Sequence, residues 1–379
     1  MPAAPLPDAW SRRLAALDRA RKETGRDRRI AEPSGLDFCS NDYLGLRRDP
    51  RLAEAAAWAA RNHGTGAGAA RLLRGTTPIH AELEAELAAW KGAEACLLFN
   101  TGYQANATLL PSLVRKGDAI FSDALNHASL VDGCRMAKVG GTSVHIYAHL
   151  DLADLDRQLA AWRATAPEGS LALVITDAIF SMDGDAADLP GLQGLCDRHG
   201  ALLLADEAHA SGLLGPDGAG LAALQGASPH LRMGTLGKAL GSAGAFVCGE
   251  APLIRHLLNT ARGFIFSTAL PPPVVAAALE GLRVSRAEPW RRARALTLAG
   301  RLRRALGQPD QPSAIVPVLL GAETDAVRIA EALQARGFDV RAVRPPTVPE
   351  GTSRLRLTTG AHQQDKDVDA LITTLKELL

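Results

Sequence analysis

Lysine is scarce in this 379-residue chain. Of 42 basic residues only Lys22, Lys91, Lys116, Lys138, Lys238, Lys366 and Lys376 are lysines, and the rest are arginines. A lysine set among glycines, as Lys238 is in "TLGKALGSAG", is therefore poor filler. It could serve as a surface cation, a phosphate clamp or a reactive amine. Net charge is also nearly absent, at +1, so no long-range field draws the chain to nucleic acid or to a membrane surface. No apolar run reaches about 18 residues, the length a membrane-spanning helix needs. The opening "MPAAPLPDAWSRRL" lacks the apolar core of a secretory signal. Cys39, Cys96, Cys134, Cys196 and Cys248 show neither CxxC nor any other metal-ligand spacing. Their odd number and lack of a framework predict a reducing, cytoplasmic setting and no structural metal. Internal repeats and low-complexity tails are missing too.

What is present reads as a globular protein, 47% hydrophobic and 22% charged, too long for one compact core. Trp10, Leu14 and Leu17 recur at helical spacing and predict an amphipathic N-terminal helix with a basic exposed face. "LDFCSNDYLGL" predicts a short strand and a turn. Beyond it, "EACLLFN", "AIFSD", "SVHIYA", "LALVITDAIF", "ALLLADEAH" and "GAFVCG" are short apolar runs separated by helical or loop segments, among them "IHAELEAELAAW" with Glu82 and Glu86 on its polar face. Continuously apolar strands alternating with helices predict a mostly parallel sheet covered on both faces. Ligands then bind beyond the carboxyl ends of the strands, which selects Asn100 to Tyr103, Asp123 to His127, Asp177 to Ser181 and Asp206 to His209. The prolines of "STALPPPVVAAAL" mark a junction to a second lobe. An arginine-rich helical region and strands at "AIVPVLLG" and "RLRLTTG" follow it. The expected organisation is an N-terminal helix and short strand over 1–45, a large α/β domain over 46–270 and an α+β domain over 271–379.

Asp206-Glu207-Ala208-His209 spells the DEAH signature of helicase ATPases. That chemistry needs an upstream phosphate loop GxxxxGK[ST]. The Gly237-Lys238 pair lies downstream and is followed by alanine, so the hydroxyl that binds magnesium is missing. An acid at a strand end, a histidine three residues on and a lysine on a later glycine loop suit different chemistry, a lysine imine with an aromatic aldehyde cofactor. The amine must be held in a site that favours its neutral form. A carboxylate must keep the ring nitrogen protonated so that the ring accepts electrons. Asp206 is the candidate for the ring nitrogen, although a helix N-cap would look the same. His209 would orient Asp206 or reach the ring hydroxyl, and His127 in "DALNHASL" is the stacking candidate. Asn100-Thr101-Gly102-Tyr103 precedes a helix, so its backbone N–H groups can meet a phosphate, towards which Thr235 can turn its hydroxyl, although a turn with no ligand would look the same.

In order along the chain, "SNDYLGL", "RLLRGTTPIHAELE", "NTGYQAN", "NHASL", "FSMDGD", "DEAHASG", "TLGKALGSAG", "FIFSTALPP" and "RPPTVPEGTSRLRLT" resemble the α-oxoamine synthases. These are pyridoxal-phosphate enzymes of the aspartate-aminotransferase fold (fold type I). The resemblance implies a large domain with a mostly parallel seven-stranded sheet and a smaller α+β C-terminal domain. It implies Lys238 as the imine lysine, Asp206 on the pyridine nitrogen, His127 on the ring face, and His209 and Ser181 near the ring hydroxyl. Gly102, Tyr103 and Thr235 fall at the phosphate, joined by Thr268 from the neighbouring subunit of a homodimer with a shared active site. Asn41 matches a substrate-side asparagine. Arg354 matches the arginine for the amino-acid carboxylate, with Arg356 on the same side of its strand, and Arg28 is placed towards the acyl substrate.

The activity implied is condensation of an amino acid with an acyl thioester and loss of carbon dioxide. The last segment is most similar to members that join L-alanine to a pimeloyl thioester, carried on coenzyme A or on an acyl carrier protein. Members using glycine with acetyl- or succinyl-CoA are the alternative, ahead of an aminotransferase or a cofactor-binding regulator. Ala67, Ala69 and Ala70 replace residues that are often glycine and serine in the family, and Asp177 stands where glutamate is frequent.

Overall fold

The expected apolar runs form six strands of one seven-stranded sheet, and Leu231–Thr235 forms the seventh. That strand is inconspicuous in sequence because Arg232 and Gly234 interrupt its apolar character. The computed structural model describes residues 4–24, 26–28, 30 and 32–379. Across the sheet the strands run Ala95–Phe99, Ala245–Gly249, Leu231–Thr235, Ala201–Asp206, Ala172–Asp177, Ala119–Asp123 and Ser143–Tyr147. Neighbours are parallel except at the two junctions made by Ala245–Gly249. Ala172–Asp177 and Ala119–Asp123 are buried along their whole length, as a sheet covered on both faces requires. The chain leaves Ala119–Asp123 for the edge and returns on its other side at Ala172–Asp177, so strand order reverses there. Such a reversal opens a crevice beyond the carboxyl ends of the strands.

Packing divides the chain into two compact units. The larger holds Asn41–Ala314 and Thr359–Gln363, and the smaller holds the described residues up to Ser40 with Ile315–Thr358 and Gln364–Leu379. This differs from the junction expected at residue 271. Helix Pro272–Ala287 begins at those prolines but stays with the larger unit. Its Val275, Leu279 and Leu282 share a core with Ala59, Ile79, Leu83 and Leu87 of the helices Pro50–His63 and Pro78–Lys91. Arg283 donates hydrogen bonds to both Glu82 and Glu86, tying the polar faces as well.

In the smaller unit, Ser353–Thr358 is antiparallel to Ala342–Val343 and to Ile315–Gly321. Leu36–Asp37 runs parallel to Phe338–Asp339. The N-terminal helix Asp8–Glu23 forms, but it buries none of its residues and leaves Trp10, Leu14 and Leu17 exposed. Its expected apolar face is thus exposed along with its basic one.

One close approach braces the lysine loop. A Cβ added at Gly281 would lie 2.2 Å from the backbone oxygen of Leu240. Alanine is favoured over glycine inside a helix by about 1 kcal/mol, whereas forced overpacking costs about 1–3 kcal/mol. Because the obstacle is backbone, we expect the clash to win. Gly281→Ala should lower the thermal midpoint, and equal or higher stability would show that the contact is loose.

Candidate active site

Four parallel strands end at Asp123, Asp177, Asp206 and Thr235. Beyond them lies a cavity of about 170 Å³ lined by Gly102, Tyr103, His127, Ser129, Asp177, Ile179, Asp206, Ala208, His209, Met233, Thr235 and Lys238. A cavity of about 150 Å³ can hold a benzene ring, so this one admits an aromatic ring. Eight of the residues named from the sequence line it: Gly102, Tyr103, His127, Asp177, Asp206, His209, Thr235 and Lys238.

Lys238 rides on a turn that only glycine can close. Gly241 has φ +68°, and a Cβ there would sit 2.7 Å from Leu46. The Lys238 amine lies 2.8 Å from His209 Nε2. His209 Nδ1 is 2.7 Å from the Tyr43 hydroxyl, and that hydroxyl donates to Asn41 Oδ1 at 3.1 Å. A phenol has one proton, so Tyr43, donating to Asn41, accepts from Nδ1–H of His209. Nε2 then accepts from Lys238, which keeps the amine lone pair out of that hydrogen bond. Asn41 thus stands at the far end of a relay and not among the cavity-lining residues. Tyr43 was not singled out in the sequence, although it lies in the quoted "SNDYLGL" run.

Asp206 is 5% exposed. Its two oxygens accept from Asn106 Nδ2 at 2.7 Å and from the Ala208 N–H at 2.9 Å. Asn106 also donates to Ser129 Oγ at 3.0 Å, and Ser129 Oγ lies 2.8 Å from His127 Nδ1. His127 caps helix Ala128–Val139 by accepting the Ser129 N–H, so it is at once a helix cap and a cavity residue. Burial pushes its pKa below the usual imidazole range, with Asp206 raising it and Lys238 lowering it further. Asn106 closes the quoted "NTGYQAN" run, which assigns it no role; it lies one helical turn beyond Gly102 inside a helix.

Helix Gly102–Leu113 opens on the cavity, where Thr101 Oγ1 caps it by accepting the Gln104 N–H. The N–H groups of Gly102 and Tyr103 precede the first bonded turn, as at the start of any helix, and can donate to an anion there. Thr235 Oγ1 donates to Gly244 O at 3.1 Å and accepts the Gly237 N–H at 3.2 Å, so it also shapes the lysine loop. Glu207, the second letter of the DEAH string, is turned away from this chemistry. It forms a fully buried ion pair with Lys91 at 2.7 Å, whose remaining N–H groups reach Ser211 Oγ and Ala219 O.

Other singled-out residues fall outside the cavity lining. Ser181 lies two residues beyond Ile179. Thr268 is exposed, bridges Ala70 and accepts at its carbonyl from Asn100 Nδ2. In the smaller unit, Arg354 and Arg356 are buried on Ser353–Thr358, opposite Leu319 and Pro317. Arg354 Nε donates to Thr352 O at 3.0 Å. Arg28 is exposed, 3.5 Å from Thr347 Oγ1, and lines a groove with Arg26, Arg341 and Arg344.

These parts fit an aromatic aldehyde bearing a phosphate. The cavity accepts a ring, Asp206 is a carboxylate already provided with donors, Lys238 is an amine at the wall, and a helix N-terminus supplies N–H groups. Residues 33–375 match the family model for aminotransferase class I and II, and the chain belongs to that family. It is 52% identical over 351 residues to 8-amino-7-oxononanoate synthase of Anaeromyxobacter sp. (strain K), covering 91% of this chain and 86% of the relative. It is 44% identical to 8-amino-7-oxononanoate synthase 1 of Polaromonas sp. (strain JS666 / ATCC BAA-500), covering 99% and 97%. Among solved structures it superposes with a TM-score of 0.89 and 28% identity on serine palmitoyltransferase from S. paucimobilis with bound PLP–myriocin, covering 98% of each chain.

A charged clamp holds the loops on the floor side. His149 lies 2.8 Å from Asp123 and 2.7 Å from Asp185, joining the strand end that leads to His127 with the segment after Ser181. Burial opposes the charged imidazolium, but the hydrogen bonds to Asp123 and Asp185 outweigh it and raise the pKa to about 9. A raised pKa stabilises the fold fully below the unfolded value of about 6.5 and loses that contribution as pH rises through about 9. The difference in thermal midpoint between wild type and His149→Gln should therefore be largest near pH 6 and shrink by pH 9.5. A difference that does not change over this range would contradict the clamp.

Proposed function

We propose that this chain is a pyridoxal-phosphate enzyme that condenses L-alanine with a pimeloyl thioester. The products are 8-amino-7-oxononanoate, the free thiol and carbon dioxide, a step of biotin biosynthesis. The observation that carries the reading is the Lys238 amine at the wall of a ring-sized cavity that also presents the donor-held carboxylate of Asp206. High identity to named synthases over nearly the whole chain supports the same reading.

Lys238 would hold the cofactor, Asp206 would keep its ring nitrogen protonated and His127 would pack against its ring. His209 and Ser181 would serve the ring hydroxyl, while Gly102, Tyr103 and Thr235 would hold the phosphate. When bound, pyridoxal phosphate supplies an electron sink for the charge left at the Cα of alanine. Lys238 Nζ takes the Cα proton, and in the ligand-free structure it is positioned 2.8 Å from His209 Nε2. Cα then bonds to the thioester carbonyl carbon as the C–S bond breaks. The alanine carboxylate leaves as carbon dioxide, and a proton returns to the same carbon. Arg354 pairs with the alanine carboxylate, where a planar guanidinium can bond both oxygens. Asn41 and Arg28 serve the substrates, and a second subunit of a homodimer brings Thr268 to the phosphate. Among the described residues no helix is long and apolar enough to cross a membrane.

Purified protein with pyridoxal phosphate, L-alanine and pimeloyl-CoA should release thiol and carbon dioxide in equal amounts. Alanine should be preferred to glycine by about 10–200-fold, the usual worth of a single methyl or methylene group in a pocket. Lys238→Ala should lose about 10²–10⁴-fold or more in turnover, the worth of a positioned base. Turnover of glycine with acetyl- or succinyl-CoA in preference to alanine would move the substrate assignment to another member of the family. Amino transfer to a keto acid without thiol release would overturn the condensation.

A further inference from the structure

The cavity holds a second carboxyl to which the mechanism gives no part. Asp177 lies at the end of Ala172–Asp177, in register with Asp206 on the neighbouring parallel strand, and it lines the same cavity. It is 3% exposed. Its Oδ2 accepts the His127 N–H at 3.2 Å, while its Oδ1 is buried without a hydrogen-bond partner. An ionised carboxylate with an orphaned oxygen, beside another carboxylate and out of water, is among the costliest arrangements a protein can hold. Asp206 has two donors and Asp177 has one, so the negative charge resides more readily on Asp206.

We propose that Asp177 is a neutral carboxylic acid with its proton on Oδ1, so that one negative charge, on Asp206, faces Lys238 instead of two. With Oδ2 occupied as an acceptor, Oδ1 is the oxygen left to carry the proton, and its O–H is a donor available to whatever fills the cavity. The charged and titratable groups around it come from each packed element. They are Asp206 and Asp123 from the flanking strands, His127 from the start of its helix and Lys238 from the glycine loop. Burial drives the Asp177 carboxyl well above the ordinary range, Asp206 adds to this, and Lys238 and the His127 N–H only partly offset it. The consequence reaches the reaction. Two carboxylates would hold Lys238 as an ammonium, whereas one leaves the amine closer to the neutral form a base requires. Asp177 thereby acts as a positioning residue, through Lys238 and Asp206.

This consequence rests on the cofactor reading of Lys238, but the protonation of Asp177 can be measured without it. Infrared difference spectra of wild type against Asp177→Asn, with and without pyridoxal phosphate, should show at pH 7 a protonated-carboxyl stretch that the variant lacks. In Asp206→Asn the same band should titrate away at lower pH than in wild type, by about one unit or more, because the neighbouring charge is gone. In the cofactor-loaded protein, the absorbance titration that reports Lys238 should move little in Asp177→Asn. Loss of an ionised neighbour would move it by about 1–3 units. A wild type without the band, a band indifferent to Asp206→Asn, or a shift of that size in the Lys238 titration would each overturn the proposal. Failure of pyridoxal phosphate to bind would instead sink the cofactor reading, and the infrared comparison of the ligand-free proteins would still decide the state of Asp177.

Discussion

A carboxylate taken out of water costs several kcal/mol unless hydrogen-bond donors replace its hydration, and Asp206 sets that constraint on the larger unit. Its two donors come from different places. Ala208 follows it in the turn that leaves the strand, and Asn106 reaches it from the helix that begins at Gly102. The helix whose first residues line the cavity therefore also holds the acid. Ser129 connects Asn106 to His127, so His127, Asp206 and the helix that begins at Gly102 share one hydrogen-bonded frame. Moving any member disturbs the others, because partly satisfied buried networks are expensive.

A second frame lies behind the first. Glu207 follows Asp206 directly, and its side chain is locked on the far side by Lys91, with Oε1 accepting the Ala222 N–H. Removing one partner of such a pair leaves an uncompensated buried charge, typically at a cost of 3–5 kcal/mol. The pair does no chemistry at the cavity, but it fixes the peptide that carries Asp206 on one side and leads to His209 on the other. Lys238 is steadied in the same indirect way. Its turn is closed by Gly241 against Leu46, and its neighbour Leu240 is pressed by the helix that contains Gly281.

Local features of the chain announced much of this. Short Val-, Ile- and Leu-rich runs gave away six strands, and the rule that ligands sit beyond strand ends led to His127, Asp177, Asp206 and His209. Lys238 stood out because lysine is rare and its neighbours are small. What sequence reasoning missed depends on partners far away in the chain. Tyr43 matters through His209, Asn106 through Asp206, and Lys91 through Glu207, separations of 166, 100 and 116 residues. None has a local pattern distinct from that of an ordinary core or helix residue. The proline break at 271 looks like a domain boundary in sequence because prolines end and begin helices equally well. Only the apolar face of the following helix, packed on two others, shows which unit it joins. Leu231–Thr235 was overlooked because an arginine and a glycine hide a buried strand.

The proposed chemistry depends above all on Lys238 being the lysine that engages an aldehyde in this cavity. The direct measurement is borohydride reduction of the protein loaded with pyridoxal phosphate, followed by mass spectrometry of its peptides. The adduct mass should fall on the peptide containing Lys238 in near-unit yield and be absent from Lys238→Ala. Labelling spread over other lysines, or an adduct that persists in Lys238→Ala, would contradict it.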